Sequence, residues 1–238
     1  MNLEYSDIFS LRGQFYNHAM NYSPNSRKNE FLELFRNFPL SENEKVLDVP
    51  SGGKYLKRFI RDDVNITSLE FTSGFSENVK VVSPYEDWNL SLNHRAISLA
   101  ALHHISDLTL FLHKIADSIE VDGLIHLADV EINSPISKFL DEFVGEWTVG
   151  GHQGFYRDWK EITWGNNLQL MSIETRKCPW QFNSVKELVY FCKHLFYLKD
   201  CSLKKIENYL EDYIGIYSKD NLIYLDWELV YIDLRKEP

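Results

Sequence analysis

Short apolar runs alternate with amphipathic stretches over the first half of the chain, and this alternation predicts strands separated by helices. Continuous apolar runs of strand length occupy residues 44–49, 95–102 and 123–130, which is typical of strands buried on both faces. Between the last two runs, residues 107–119 place apolar side chains at helical spacing. Strands that alternate with helices indicate an α/β protein with a parallel sheet and helices on both faces.

Two further strands and one further helix are predicted in this half. Residues 64–71 and 79–83 read as strands, and residues 54–60 as a helix whose apolar side chains share one face. Residues 1–40 precede the first strand. We expect them to form a helical lead-in, because apolar side chains recur at helical spacing over 31–35.

After residue 130 the pattern changes. Strands are predicted at 166–175 and 222–234, and we expect them to pair antiparallel. Helices are predicted at 136–147, 156–162, 184–198 and 202–215. The last two helices lie in an insertion, residues 178–215, before the final strand. Because Pro and Gly are sparse and no linker is evident, we expect a single domain over residues 1–238.

Composition and charge narrow the functional classes. The chain has 238 residues, 44% of them apolar, which is enough for a packed core. Its formal net charge is −10, which argues against binding to nucleic-acid phosphates. No apolar run reaches the roughly 18 residues of a membrane helix, and the first residues lack a secretory-signal pattern. Three cysteines without a CxxC pair favour free thiols and a cytoplasmic location.

The turn after the first predicted strand is the first candidate for chemistry. Asp48 ends the strand, and Gly52 and Gly53 follow before the next element. Glycines allow close backbone approach, and the amides at a helix start attract anionic groups, so the turn suits a nucleotide-like cofactor. Glu70 ends the next strand, where an acid accepts hydrogen bonds from ribose hydroxyls in nucleotide-binding α/β folds. Such a turn and such an acid also occur for structural reasons alone; their conjunction favours the cofactor.

The central strand ends in two histidines, His103 and His104. Adjacent residues of an extended segment point to opposite sides, so we expect a poor metal pair and predict no metal site. One of the two histidines is expected to face the crevice beyond the carboxyl end of the strand.

The segments VLDVPSGG, SLEF, LHHISD and DGLIHLADV, which lie within residues 44–130, resemble the ordered motifs of class I S-adenosylmethionine (SAM)-dependent methyltransferases. The resemblance is greatest to the small-molecule group that includes the biotin-synthesis malonyl-carrier methyltransferase. It implies a Rossmann-like methyltransferase fold: a mostly parallel seven-stranded sheet with an antiparallel closing strand, helices on both faces and a helical insertion before the last strand. It also implies SAM as the cofactor.

The resemblance assigns cofactor-binding roles to particular positions. The glycine-loop acid falls on Asp48, the ribose-binding acid on Glu70, and the adenine-contacting acid on Glu86 or Asp87. The full set of implied cofactor contacts is Asp48, Pro50, Ser51, Gly52, Gly53, Glu70, Phe71, Glu86, Asp87, Ala100, Ala101, Leu102 and His103. Tyr16 of the lead-in is expected to close over the cofactor. The sequence departs from the family at Lys54, which replaces a glycine, and at His94-Arg95, which replaces Phe-Asp.

Methyl transfer needs an aligned nucleophile, and a general base if the acceptor must lose a proton. The candidate bases are His104, His152 and Tyr156, with His18 more simply explained by packing of the lead-in. His152 lies in a glycine-bearing loop, and we weigh a role in catalysis equally against that of a polar loop residue. A carboxylate acceptor would need no base.

Three functions compete. Aromatic residues of the insertion, such as Trp180 and Phe196, suit a cap over an apolar or aromatic acceptor. The first hypothesis is therefore a SAM-dependent methyltransferase for a small-molecule acceptor, with neither nucleic acid nor membrane as partner and with a homodimer left open. The alternative is a methyltransferase-like protein that binds SAM without methylating, as a structural cofactor or as a partner subunit. A nicotinamide-dependent oxidoreductase is less favoured, because the GxGxxG spacing is absent.

Overall fold

The structure is a computed structural model that describes residues 4–75, 79–165 and 167–238. Within these residues, the strands are β1 (Lys45–Asp48), β2 (Asn65–Glu70), β3 (Lys80–Val81), β4 (Asn93–Leu99), β5 (Ile119–Asp129), β6 (Leu168–Lys177), β7 (Trp180–Phe182), β8 (Ile216–Lys219), β9 (Leu222–Leu225) and β10 (Glu228–Lys236). The helices are α1 (Tyr5–Tyr22), α2 (Lys28–Glu33), α3 (Leu108–Asp117), α4 (Pro135–Lys138), α5 (Gly145–Trp147), α6 (Val185–Leu195) and α7 (Leu203–Tyr213).

Seven strands form the main sheet in the order β3-β2-β1-β4-β5-β10-β6. Neighbouring strands are parallel except at β10, which is antiparallel to both β5 and β6. The predicted sheet, with its antiparallel closing strand, is therefore confirmed. Asp48 of β1 lies beside Ile97 of β4, so the carboxyl ends of the central parallel strands meet at one edge.

Alternate residues of the central strands pack on opposite faces, which explains their continuous apolar sequences. Leu47 and Ala96 lie in a hydrophobic cluster with α3, where Phe111 is fully buried. Val46 and Ile97 lie in a second cluster on the other face. Because both faces exclude water, apolar side chains predominate in these strands.

Three predicted helices have different outcomes. Residues 54–60 form only one 3₁₀ turn, Tyr55–Arg58, which follows Lys54 in a left-handed backbone conformation (φ +66°). Residues 156–162 are not helical; Trp159 is buried there and donates its Nε1–H to the Val130 carbonyl at 3.0 Å. The helix at 136–147 is confirmed as α4 and α5, joined by a π-helical segment, Phe139–Val144.

The predicted insertion carries both predicted helices, as α6 and α7. It extends beyond residue 215, because a small sheet that the sequence did not predict includes residues up to 225. Its strands have the order β7-β9-β8. The predicted strand 222–234 is divided at Asp226-Trp227, so β9 belongs to the small sheet and β10 to the main one. We call residues 178–227 the cap.

Helix α1 lies against the loop after β2 with almost no space between the backbones. A Cβ atom added to Gly13 would lie 2.5 Å from the carbonyl carbon of Gly74, and one added to Gly74 would lie 2.0 Å from the Phe9 oxygen. Only glycine fits such an approach. On its other side α1 contacts α6, where His18 Nε2 is 3.2 Å from the Tyr190 hydroxyl.

Among the residues that the structure describes, no helix combines the length and the apolar character needed to cross a membrane.

Candidate functional site

The chain turns sharply at the carboxyl end of β1, over residues 48–53, which we call the glycine turn. Gly52 and Gly53 have positive φ values of +54° and +104°, which glycine adopts without strain. Glu70 holds the turn in place, because its Oε2 accepts the Gly52 N–H at 2.8 Å and its Oε1 accepts the Phe71 N–H at 2.9 Å. The ends of β1 and β2 are thus joined through one carboxylate.

Two buried acids face each other at this turn. Asp48 and Glu70 are 4% and 0% exposed, and Asp48 Oδ2 has no hydrogen-bond partner among the residues that the structure describes. Burial, and then the nearby Glu70 charge, raise the pKa of Asp48 well above its usual value. Burial likewise raises the pKa of Glu70 to about 7, although the backbone N–H groups of Phe71 and Gly52 oppose this shift. A cationic ligand at the turn would therefore favour the ionised acids, which burial disfavours.

We expect Glu70→Gln to change the pH dependence of stability. Because the pKa of Glu70 is raised from 4.5 to about 7 by burial, the folded protein binds more protons than the unfolded chain between these values. This carboxyl therefore stabilises the fold less as the pH rises, by about 2–3 kcal/mol between roughly pH 5 and pH 8. Urea unfolding at both pH values should show the free energy of unfolding of the variant improving, relative to wild type, by that amount.

The matched control for this prediction is Glu161→Gln, since Glu161 is exposed. Its free energy of unfolding should follow that of wild type at both pH values. If the difference between Glu70→Gln and wild type is the same at pH 5 and pH 8, the raised pKa is wrong.

Aromatic side chains cover Glu70 on the side away from the glycine turn. The Tyr5 hydroxyl hydrogen-bonds the Glu70 carboxylate, and the Tyr5 ring lies 5.5 Å from the Phe71 ring. The rings of Phe9 and Phe75 are 5.1 Å apart beside them. Glu70 is consequently enclosed by α1 and by residues 71–75.

A cavity of about 90 Å³ lies between the glycine turn, α1 and the cap. The sequence-predicted residues on its wall are Tyr16, Asp48, Pro50, Ser51, Gly52, Ala100, Ala101, His103, His104 and His152. The cap adds aromatic rings, with Trp180 and Trp227 stacked at 4.2 Å between centroids. The structure therefore brings most predicted residues to one enclosed space.

Other predicted residues do not line this cavity: Gly53, Glu70, Phe71, Glu86, Asp87, Leu102 and Tyr156. Asp87 is exposed and pairs with Lys114 of α3 at 2.5 Å, which lowers the pKa of the Asp87 carboxyl. Tyr156 stacks on His103 with 5.4 Å between ring centroids. His18 is also absent from the wall: it is an exposed residue of α1 that contacts Tyr190 of α6 instead.

Three buried histidines, His103, His104 and His152, form what we call the histidine cluster. One ring nitrogen of each lies within 4.8 Å of the others. The prediction that His103 and His104 point to opposite sides is wrong: they lie in a 3₁₀ turn, not in a strand, and their ring centroids are 4.0 Å apart. Burial lowers the pKa of His104 well below its usual value and that of His152 to about 4.

Asp129 at the end of β5 fixes the first ring of this cluster. Its Oδ1 lies 2.6 Å from His103 Nδ1, and its Oδ2 accepts the His103 backbone N–H at 3.0 Å. The Val130 N–H also donates to Asp129, at 2.6 Å. The position of His103 is therefore set by a carboxylate that is itself held by backbone donors.

Two buried arginines line the cavity, and the sequence did not single them out. Arg12 donates to the carbonyls of Val149 and Gly151, and burial lowers its pKa to about 10. Within the described part of the chain, its Nε has no partner. Arg27 pairs with Glu30 at 2.5 Å and lies over the Trp180 ring at 5.3 Å. One signal in the sequence could have indicated that Arg12 is buried: it lies four positions after the apolar Ile8, on the same face of α1.

No family model and no curated protein matches this sequence. Solved structures do match the fold. A Bacillus halodurans protein described as a methyltransferase is 15% identical, with a TM-score of 0.59, over 88% of this chain and 99% of that one. Coclaurine N-methyltransferase, solved with N-methylheliamine and SAH, is 12% identical, with a TM-score of 0.56, over 87% and 69%. The [4+2]-cyclase SpnF is 12% identical, with a TM-score of 0.55, over 100% and 99%.

These similarities, together with the strand order, confirm the predicted Rossmann-like methyltransferase fold. They do not test the similarity to the biotin-synthesis group, which stays a prediction.

Proposed function

On the premise that this chain has the class I methyltransferase fold, we propose that it binds SAM and methylates a small molecule. The observation that carries the proposal is the glycine turn, where the buried Asp48 carboxylate has an oxygen without a partner and faces the cavity. In open α/β sheets, ligands bind beyond the carboxyl ends of the strands. The turn occupies that edge, beside β4.

The polar groups at the turn suit this cofactor. SAM would supply an electrophilic methyl group on a positively charged sulfonium, and its methionine part carries an ammonium. Asp48 and Glu70 offer carboxylate groups to such a ligand, and its positive charge would favour their ionised forms, which burial disfavours. Asp48, Ser51, Gly52 and the Ala100-Ala101 segment are the residues that we propose hold the methionine part.

Binding of the sugar of SAM beside Glu70 requires part of the protein to move. Tyr5 and Phe9 cover Glu70, and the cavity of about 90 Å³ is too small for the whole cofactor. We propose that α1 moves away from residues 71–75 to admit SAM, and that Glu70 and Phe71 then contact its adenosine. Tyr16, on the same helix, would close over the cofactor afterwards.

The groups around the cavity favour an anionic acceptor with an apolar body. Arg12 brings a buried positive charge with an unpartnered Nε, and the aromatic rings of the cap offer an apolar wall. His152 is a weak base because burial lowers its pKa to about 4, and burial raises the pKa of the Tyr156 hydroxyl. A carboxylate acceptor needs no base, so we propose carboxylate methylation in preference to proton abstraction by His104, His152 or Tyr156.

Calorimetry with SAM and with its demethylated product tests the cofactor. We expect Asp48→Asn to weaken SAM binding by about 10–100-fold, the value of a charge-assisted hydrogen bond. Asparagine resembles the neutral acid that burial favours, so the variant should fold. Asp62→Asn, at an exposed position, is the control and should bind as wild type does. If wild type binds neither ligand, the proposal fails.

A second function is favoured by one comparison. The [4+2]-cyclase SpnF has the same fold over the whole length of this chain. We therefore keep the proposal that this chain binds SAM without using its methyl group. Mass spectrometry of protein incubated with SAM and a panel of aryl carboxylic acids separates the two: demethylated cofactor that accumulates with a methyl ester supports methyl transfer. Tight binding without turnover on any acceptor supports the second function.

A further inference from the structure

We propose that His103, His104 and His152 bind a divalent transition-metal ion at the wall of the cavity. The three rings come from two different loops, are all buried, and each offers a nitrogen within 4.8 Å of the other two. Three histidines with a fourth position open to a cavity form a known type of zinc site. The inference does not depend on SAM, because the metal can be bound and measured without it.

The ring of His103 is held by Asp129. Its Nδ1 lies 2.6 Å from Asp129, so this nitrogen carries the proton and Nε2 is left with a lone pair. A carboxylate that accepts the second N–H of a ligating histidine fixes the ring and raises its basicity. Asp129 in turn accepts backbone N–H groups from residues 103 and 130, which hold it in place.

The other two rings have nitrogens that the protein does not satisfy well. His104 Nδ1 is buried and has no hydrogen-bond partner in residues 4–75, 79–165 and 167–238. The contacts of His152 Nδ1 are long, with the Tyr156 hydroxyl at 3.5 Å and Asp141 at 3.9 Å. A buried polar atom without a partner costs roughly 1–3 kcal/mol. A metal ion that engaged one nitrogen of each ring would fix the ring orientations and hence which nitrogen keeps its proton.

The geometry needs only small adjustments. Metal–nitrogen bonds of about 2.0–2.1 Å in a tetrahedral site place ligand nitrogens about 3.4 Å apart. The ring nitrogens of the cluster lie up to 4.8 Å apart, so the rings must approach each other by roughly the difference between this distance and 3.4 Å. His152 follows Gly150 and Gly151, both with positive φ, and no protein atom lies within 4 Å of a Cβ placed at Gly150. The loop therefore has room to bring His152 inward.

Charges near the cluster act in both directions. Asp129 and Asp141 favour a bound cation, whereas the Arg12 guanidinium, which faces His104 and His152, opposes it. An anionic ligand at the open metal position would lie close to both the metal and Arg12 and would relieve that repulsion. Three neutral imidazoles select Zn²⁺, Co²⁺ or Ni²⁺ over Mg²⁺, which prefers oxygen ligands.

The test uses full-length protein stripped with a chelator and then titrated with Zn²⁺ or Co²⁺. We expect one ion per chain and, with Co²⁺, the intense visible absorption of a tetrahedral site. His104→Gln and His152→Gln should each lower the affinity at least 10-fold, and Asp129→Asn should lower it about 10–100-fold through the orientation of His103. Mg²⁺ should not compete.

Two controls separate the cluster from adventitious binding. His113→Gln removes an exposed histidine and should leave the affinity unchanged. His18→Gln/His194→Gln removes a pair whose rings lie 4.7 Å apart between α1 and α6, and should also leave it unchanged. The proposal is overturned if wild type binds neither ion, or if the His18/His194 variant loses the binding. Because the Co²⁺ spectrum is recorded on wild type, a variant that fails to fold does not decide the outcome.

Discussion

Replacement of Glu30 by Gln is expected to lower the free energy of unfolding by about 3–5 kcal/mol. Glu30 is fully buried and accepts hydrogen bonds from Arg27 Nε at 2.5 Å and Trp180 Nε1 at 2.7 Å. The variant leaves the Arg27 guanidinium buried without its counter-charge. For a chain of this length, the loss corresponds to a fall in melting temperature of roughly 10 °C.

The pKa of Glu30 shows why the pair is costly to break although it adds little net stability. Burial raises that pKa even though Arg27 lies beside the carboxyl, so desolvation exceeds the attraction within the pair. Such a pair adds little net stability over an apolar replacement, yet it is costly to break. We therefore expect Arg27→Met/Glu30→Leu to recover most of the stability that Glu30→Gln loses.

A matched control lies one turn further along the same helix. Glu33 pairs with Arg36 at 3.3 Å on the surface, with 62% of the arginine side chain exposed. Exposed pairs contribute about 0–1 kcal/mol, so Glu33→Gln should change the urea midpoint little. Equal losses for Glu30→Gln and Glu33→Gln would contradict the role that we assign to burial.

Gly74→Ala is expected to separate α1 from the main sheet. Its Cβ would lie 2.0 Å from the Phe9 oxygen and 3.0 Å from the Ser10 Cα, both backbone atoms that cannot rotate away. If α1 leaves, Tyr5 and Ile8 lose burial worth about 1.5–3 kcal/mol each. Limited proteolysis should therefore cut within α1 at least 10-fold faster than in wild type.

The outcome of this substitution also bears on cofactor entry. If α1 must move to admit SAM, Gly74→Ala should raise the rate of SAM association in rapid mixing. Gln14→Ala, on the exposed face of α1, is the control. It should leave the rate of proteolysis within α1 and the rate of SAM association unchanged. A Gly74→Ala protein with the protease resistance of wild type would show that the contact between α1 and residues 71–75 tolerates a methyl group.

The central strands could be predicted because burial on both faces leaves a local signature, a continuous apolar run. This signature placed β1, β4 and β5 correctly. The helix predicted at 54–60 failed because four apolar residues at i, i+1, i+4 and i+5 are compatible with a single 3₁₀ turn as well as with a helix. Strand pairing of β6 with β10 was also recoverable, whereas the small sheet of the cap was not, since β7 and β8 are only three and four residues long.

The glycine turn was recoverable for a similar reason: Asp48, Gly52 and Glu70 have fixed places relative to two predicted strands. Arg12 was not recoverable, because its partners are carbonyls 137 and 139 residues away in the sequence. The histidine cluster was missed since its existence depends on the 3₁₀ geometry of Leu102–His104 and on the return of the loop that carries His152. The local pattern of apolar and polar residues indicates neither the 3₁₀ turn nor the path of this loop.

The cap is joined to the main sheet by two short junctions, and this arrangement assigns the selection of ligands and their exchange to separate parts of the chain. Only two residues join β6 to β7 and two join β9 to β10, and the Cys178 N–H donates to the Trp227 carbonyl across these junctions at 2.9 Å. The cap is thus a direct continuation of the β6–β10 ribbon, and we expect it to move less than α1. We expect its aromatic wall to select molecules by shape, while α1 alone governs how fast they come and go. Selectivity and exchange rate should therefore respond to different mutations.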